Sequence, residues 1–90
     1  EADLVFEYRG EIYHLAIQST DDPKMALRML HYYGLIVENY QKAPIQAVVY
    51  VGEKPLRQMV GKLTLPNLEF GYRVVDINKV DCERLLESKD

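Results

Sequence analysis

Between residues 3 and 18 the side chains follow a period of two. Leu4, Phe6 and Tyr8 alternate with Asp3, Glu7 and Arg9. Tyr13, Leu15 and Ile17 then alternate with His14, Ala16 and Gln18. Period-two alternation rich in aromatic and β-branched residues marks two half-buried strands. Arg9-Gly10 lies midway, and glycine supplies the positive φ of a tight hairpin turn. A two-residue turn there pairs Tyr8 with Glu11, Phe6 with Tyr13 and Leu4 with Leu15. Asp3 then stands opposite Ala16, with Gln18 two residues along on the same face. Leu4, Phe6, Tyr13, Leu15 and Ile17 form the other, apolar face. A slip of one residue would mix the two faces, so the pattern itself fixes the register.

The period changes after Gln18. Asp22 is a good helix N-cap and Pro23 a good first helical residue, which predicts a helix from Pro23 to about Lys42. Lys24, Arg28, His31, Glu38 and Lys42 form its polar stripe. Ala26, Met29, Leu30, Tyr33, Val37 and Tyr40 lie opposite, and Met25, Tyr32 and Ile36 widen the apolar arc. So broad an arc predicts packing on more than one side, or a helix that covers a sheet and meets a second partner. Gly34 costs about 1 kcal/mol relative to alanine in a helix interior, and a close approach by a neighbouring element would compensate. Glu38 and Lys42 are placed to pair. Pro44 ends the helix by disfavouring α geometry at Ala43.

Residues 45–51, IQAVVYV, are nearly all apolar and read as a central strand buried on both faces. Strand, helix and strand with short joints make a βαβ crossover, so this strand should run parallel to the second hairpin strand. Residues 53–67 are broken by Pro55, Gly61 and Pro66 and predict a long connection with at most one short strand or turn of helix. Residues 68–77 alternate again and predict a strand near an edge, interrupted by Gly71. Asp81 would cap a short final helix carrying Cys82, Leu85 and Leu86. The fold class is α/β: a mixed sheet with one long crossover helix.

Ninety residues with a net charge of −3 make a single small domain. The charge argues against a free-standing nucleic-acid binder, which carries a basic surplus. It leaves room for local patches at Lys24, Arg28 and His31 on the helix and at Lys54, Arg57 and Lys62 in the connection. Each patch reads as a solvated surface or as a phosphate contact. No apolar run approaches the ~20 residues of a membrane span. The single cysteine, Cys82, excludes an internal disulfide and fits a reducing cytoplasm. His14 and His31 lack metal-ligand spacing and read as structural.

An aspartate near the start of one strand, with a carboxylate and then Lys or Gln two residues apart on the next, is the layout of PD-(D/E)XK nucleases. The stretches EADLVFEYRGEIYHLAIQ, DPKMALRMLHYYGLIVENY, QAVVYVGEKPLR and LEFGYRVVDINKVDCERLLES resemble the recombination-promoting nucleases, PD-(D/E)XK nuclease-family transposases. The resemblance implies a truncated restriction-endonuclease-like core over residues 1–90, lacking the family's N-terminal helix and strand. It implies Mg²⁺-dependent hydrolysis of DNA, with Asp3 as a metal ligand, Ala16 at the catalytic glutamate position and Gln18 at the position that orients the attacking water. Lys24 and Arg28 are the candidate DNA contacts.

Ala16 departs from the family pattern. A methyl group binds neither Mg²⁺ nor water, so metal affinity and activity are expected to be impaired. Glu7 is about 13 Å from Asp3 along the strand, too far to share an ion, and Glu1 is the nearer substitute. The alternatives are a DNA-binding domain without cleavage, or an interaction module that forms a homo-oligomer through the broad apolar helix and the sheet edge.

Overall fold

The computed structural model describes residues 2–79. Strands β1 (Ala2–Tyr8) and β2 (Glu11–Gln18) are followed by helix α1 (Met25–Tyr40), then by β3 (Pro44–Tyr50), β4 (Lys62–Leu65), β5 (Leu68–Gly71) and β6 (Arg73–Asp76). A single 3₁₀ turn, Ile77–Lys79, ends the described chain. The main sheet has the order β1-β2-β3-β6, and β4-β5 form a separate hairpin. β1 is antiparallel to β2, while β2, β3 and β6 are parallel. The molecule is thus a small α/β domain with a mixed sheet and one helix.

The β1–β2 register is the one that the alternation predicts, with Asp3 opposite Ala16 and Leu4 opposite Leu15. Arg9 and Gly10 have φ values of 52° and 81°, the double positive φ of a type I′ turn. The parallel crossover is also as expected, but the helix starts later than Asp22 and Pro23 predict: Lys24 is the N-cap, without a side-chain cap bond, and its carbonyl accepts the Arg28 N–H at 3.1 Å. Asp22 instead closes the turn before the helix: its Oδ1 accepts the Lys24 N–H at 2.8 Å, its carbonyl accepts the Met25 N–H at 3.1 Å, and its second carboxylate oxygen holds Arg28 Nη1 at 3.2 Å.

The core lies between one face of the main sheet, α1 and the β4–β5 hairpin. Ala16, Met25, Met29, Val48, Tyr50, Met59 and Phe70 are its buried centre. Phe70 meets Tyr33 of the helix edge-on, with ring centroids 5.7 Å apart.

Several expectations are corrected. β3 is buried on one face only, and Ile45 on the other is 44% exposed, because no layer covers that face among the described residues. β1 is exposed throughout because it is the edge strand, so that even Val5, on the helix face, is 40% exposed; the apolar side chains of the hairpin lie on the uncovered face. The stretch 68–77 is two strands in two sheets: β5 turns back on β4, and the chain breaks at Tyr72 before β6 joins β3. The helix packs on one side only among the described residues, with Leu27, Leu35, Val37 and Tyr40 exposed.

No neighbour compensates Gly34, since a Cβ there would meet nothing within 4 Å. Lys42 lies beyond the helix end, because Gln41 takes φ 54° and its N–H bonds the Val37 carbonyl at 2.9 Å. Its ammonium donates to the Gly10 carbonyl at 2.7 Å and ties the hairpin turn to the foot of the helix. The final helix expected from Asp81 onward, with Cys82, lies outside the described residues.

Candidate functional site

Residues opposite one another in a ladder share a face, and so do residues two apart along a strand. Asp3 on β1, His14, Ala16 and Gln18 on β2, and Gln46, Val48 and Tyr50 on β3 therefore all point towards α1. The polar half of the hairpin alternation is the inner half. His14 is fully buried, Gln18 is 1% exposed and Gln46 is 6% exposed.

Buried polar groups need partners, and those of His14 and Gln46 belong to one connected cluster. Gln46 Nε2 stands 2.9 Å from the Met29 carbonyl and 3.1 Å from His14 Nδ1. An amide nitrogen has two hydrogens and no lone pair to offer, so it donates to both. Nδ1 of His14 is then the acceptor, and Nε2 carries the hydrogen donated to Asp3 Oδ1 at 3.0 Å. The second oxygen of Asp3 accepts the Tyr32 hydroxyl at 3.2 Å. The Tyr32 ring also leans on the imidazole, with centroids 4.7 Å apart. The negative charge of Asp3 pushes the Tyr32 hydroxyl above its usual pKa, and burial and the hydrogen bond to Asp3 add to this, against the opposing charge of Arg28. Asp3, a quarter exposed, is the point where this cluster reaches solvent.

The structure brings Asp3, Ala16 and Gln18 to one face, as the register requires. It also places His14, Tyr32 and Gln46 with them, which the sequence reading missed. For His14 the signal is its position two residues before Ala16. For Gln46 it is a lone amide within an apolar strand.

As they stand, Asp3, Ala16 and Gln18 do not fit Mg²⁺, which needs near-octahedral oxygen ligation. Asp3 is the one carboxylate of the three, both its oxygens are already hydrogen-bonded, and Ala16 is fully buried. No group of three or more His, Cys, Asp or Glu that could hold a metal occurs among the described residues. Glu1 lies outside them, and Glu7 stands opposite Ile12, away from Asp3.

Lys24, Arg28 and His31 line one groove of about 450 Å³ on the outer side of α1, with Leu27, Tyr32 and Leu35. The basic residues of the long connection are spread out, and that segment is organised by an acid instead. Asp21, just after β2, accepts backbone N–H groups from Arg57, Gln58 and Met59 at 2.7–3.0 Å. Burial tends to raise its pKa, but the three donors and the Arg57 charge together hold it below the usual carboxylate range. Asp21 also lines a second cavity of about 450 Å³ at the carboxyl ends of β2 and β3, with Ser19, Thr20, Gly52, Glu53 and Lys54. Among the described residues no helix is long and apolar enough to cross a membrane. Comparison with protein-family models, with curated proteins and with solved structures finds no match to this chain.

Proposed function

We propose that this chain is a PD-(D/E)XK-type domain with a restriction-endonuclease-like core, derived from a transposase-related DNA endonuclease. In this reading a side-chain cluster has taken over the metal site. The observation that carries it is the ladder pairing of Asp3 with Ala16, with Gln18 two residues on and facing the same way. That is where the fold would present an acid, a second acid and a water-orienting group. The layout around it agrees: an antiparallel hairpin, a crossover helix and a parallel strand.

As the residues stand, the domain does not cleave DNA. Such chemistry holds the ion through carboxylates, phosphate and water, and the fully buried methyl of Ala16 takes the place of one carboxylate. Here Asp3 is held by the His14 N–H and the Tyr32 O–H instead. Lys24 and Arg28 are the proposed phosphate contacts, lining one groove on the outer side of α1. A binding role that outlives cleavage is the consequence, and its signature is an affinity for DNA that falls steeply with salt.

The test compares the chain as given with Ala16→Glu, measuring Mn²⁺ binding by calorimetry, plasmid nicking, and folding by circular dichroism. The restored acid is expected to confer metal binding and metal-dependent nicking that the parent lacks, and both should vanish in Ala16→Glu/Asp3→Asn. An Ala16→Glu chain that folds and gains neither overturns the reading. So does one that stays unfolded even in excess Mn²⁺, because a true site would be stabilised by its ion through mass action.

A further inference from the structure

The sheet face turned away from α1 is uncovered among the described residues. β1, β2 and β3 present alternate apolar residues to it, and among the described residues nothing lies over them. Leu4 is 52% exposed, Phe6 44%, Tyr8 54% and Ile45 44%. Three strands of seven or eight residues and one of four span about 400 Å² of flat sheet at the usual strand spacing and rise. Side-chain relief enlarges the accessible area. A patch of that order is the size of the largest apolar patch on an ordinary monomer, one that often serves binding, and two such faces together bury about 800 Å² before side-chain relief, the range of weak, reversible association.

We infer that this face packs against the same face of a second copy of the chain, as a two-fold symmetric homodimer. The charges of the face select that occupant. In the strands it carries one acid, Glu11 at the start of β2, and one base, Arg73 at the start of β6, both exposed. Glu11 pairs with Tyr8, and Arg73 is level with Ala47 and Leu15, so both belong to the open face. In an isologous interface, if residue i meets residue j then j meets i. A single two-fold axis lying in the interface can therefore set Glu11 of each copy against Arg73 of the other and satisfy both charges at once. An uncharged apolar partner would leave both facing hydrocarbon. Phe6, Tyr8 and Tyr13 supply the aromatic anchors that dominate such interfaces, while the two ion pairs fix orientation more than they add affinity.

Sedimentation equilibrium of the full chain from micromolar to several hundred micromolar tests the inference. The expected species is a dimer, with twice the chain mass of 10.5 kDa. Phe6→Lys should give a folded monomer with unchanged far-ultraviolet circular dichroism. Glu11→Arg and Arg73→Glu should each raise the dissociation constant by about tenfold or more through like-charge contact, and the double exchange should restore it. A chain that stays monomeric throughout overturns the inference, as does a dimer that survives Phe6→Lys or a double exchange that fails to restore association. A monomer that Phe6→Lys destabilises would assign the face to other residues of the same chain, and also overturns it.

Discussion

Replacing Gly34 with alanine should stabilise this protein, and the size of the gain follows from the geometry. Gly34 lies in the interior of α1, which runs from Met25 to Tyr40. It is exposed, and an added Cβ would meet nothing within 4 Å. The methyl group therefore gains no packing and meets no clash. What remains is the backbone freedom that glycine gives the unfolded chain and loses on folding, roughly 0.8–1.0 kcal/mol in a helix interior. For a domain of this size that corresponds to about 4–8 °C in melting temperature. With a urea m-value of about 1–1.5 kcal/mol/M, the midpoint should move up by roughly 0.5–1 M with no change in slope. Urea titration followed by helical circular dichroism measures both quantities. Gly34 is on the helix and the open apolar face is on the far side of the sheet, so the gain should not depend on protein concentration. An unchanged or lowered midpoint would refute the reasoning, because it would mean that something closes on the outer side of α1 at this residue.

Three other perturbations probe the rest of the framework. Gly52→Ala has the opposite sign: its Cβ would run into the Ser19 carbonyl and the Tyr50 hydroxyl, and a loss of about 1–3 kcal/mol is expected by thermal melting. Asp21→Asn should cost about 1–2 kcal/mol at pH 7, the worth of charge-assisted hydrogen bonds discounted for the solvent that reaches them. Because folding depresses the Asp21 pKa, its contribution is complete above the unfolded value near ~3.9. It is lost as pH falls through the lower folded value, so acid titration of stability should be flatter in the Asn variant. Asp3→Asn removes the charge that dominates the Tyr32 shift, and the Tyr32 hydroxyl should fall back towards about 10 in an alkaline titration followed by ¹³C resonance of the ring.

The parts of this fold that local chemistry controls were legible in the chain. The hairpin register follows from alternation on both sides of Arg9-Gly10, and the parallel β2–β3 pairing follows from a helix with short joints. The β4–β5 hairpin was hidden by its turn. Pro66 reads as a break in the pattern, yet proline at the first central position and Asn67 at φ 65° are what a type II turn requires. Which face is covered was not legible either. Alternation separates the faces without saying which one meets the helix, and here the face with His14, Gln18 and Gln46 does. The candidate site shows both outcomes. Asp3, Ala16 and Gln18 could be put on one face from spacing alone. The clasp of Asp21 on Arg57, Gln58 and Met59 joins segments 36 to 38 residues apart through backbone donors, which leave no mark in side-chain chemistry.

One amide nitrogen links the two layers of the core. Gln46 grips the helix through the Met29 carbonyl and the sheet through His14, so it acts as a peg that sets how far α1 can slide along its strands. The grip on the helix is to main chain, so a change of side chain at Met29 costs packing in the core but leaves the bond itself in place. Gln46 itself has no such latitude. Glutamate has the same length, but it would set a carboxylate against a carbonyl oxygen and turn an attachment into a repulsion.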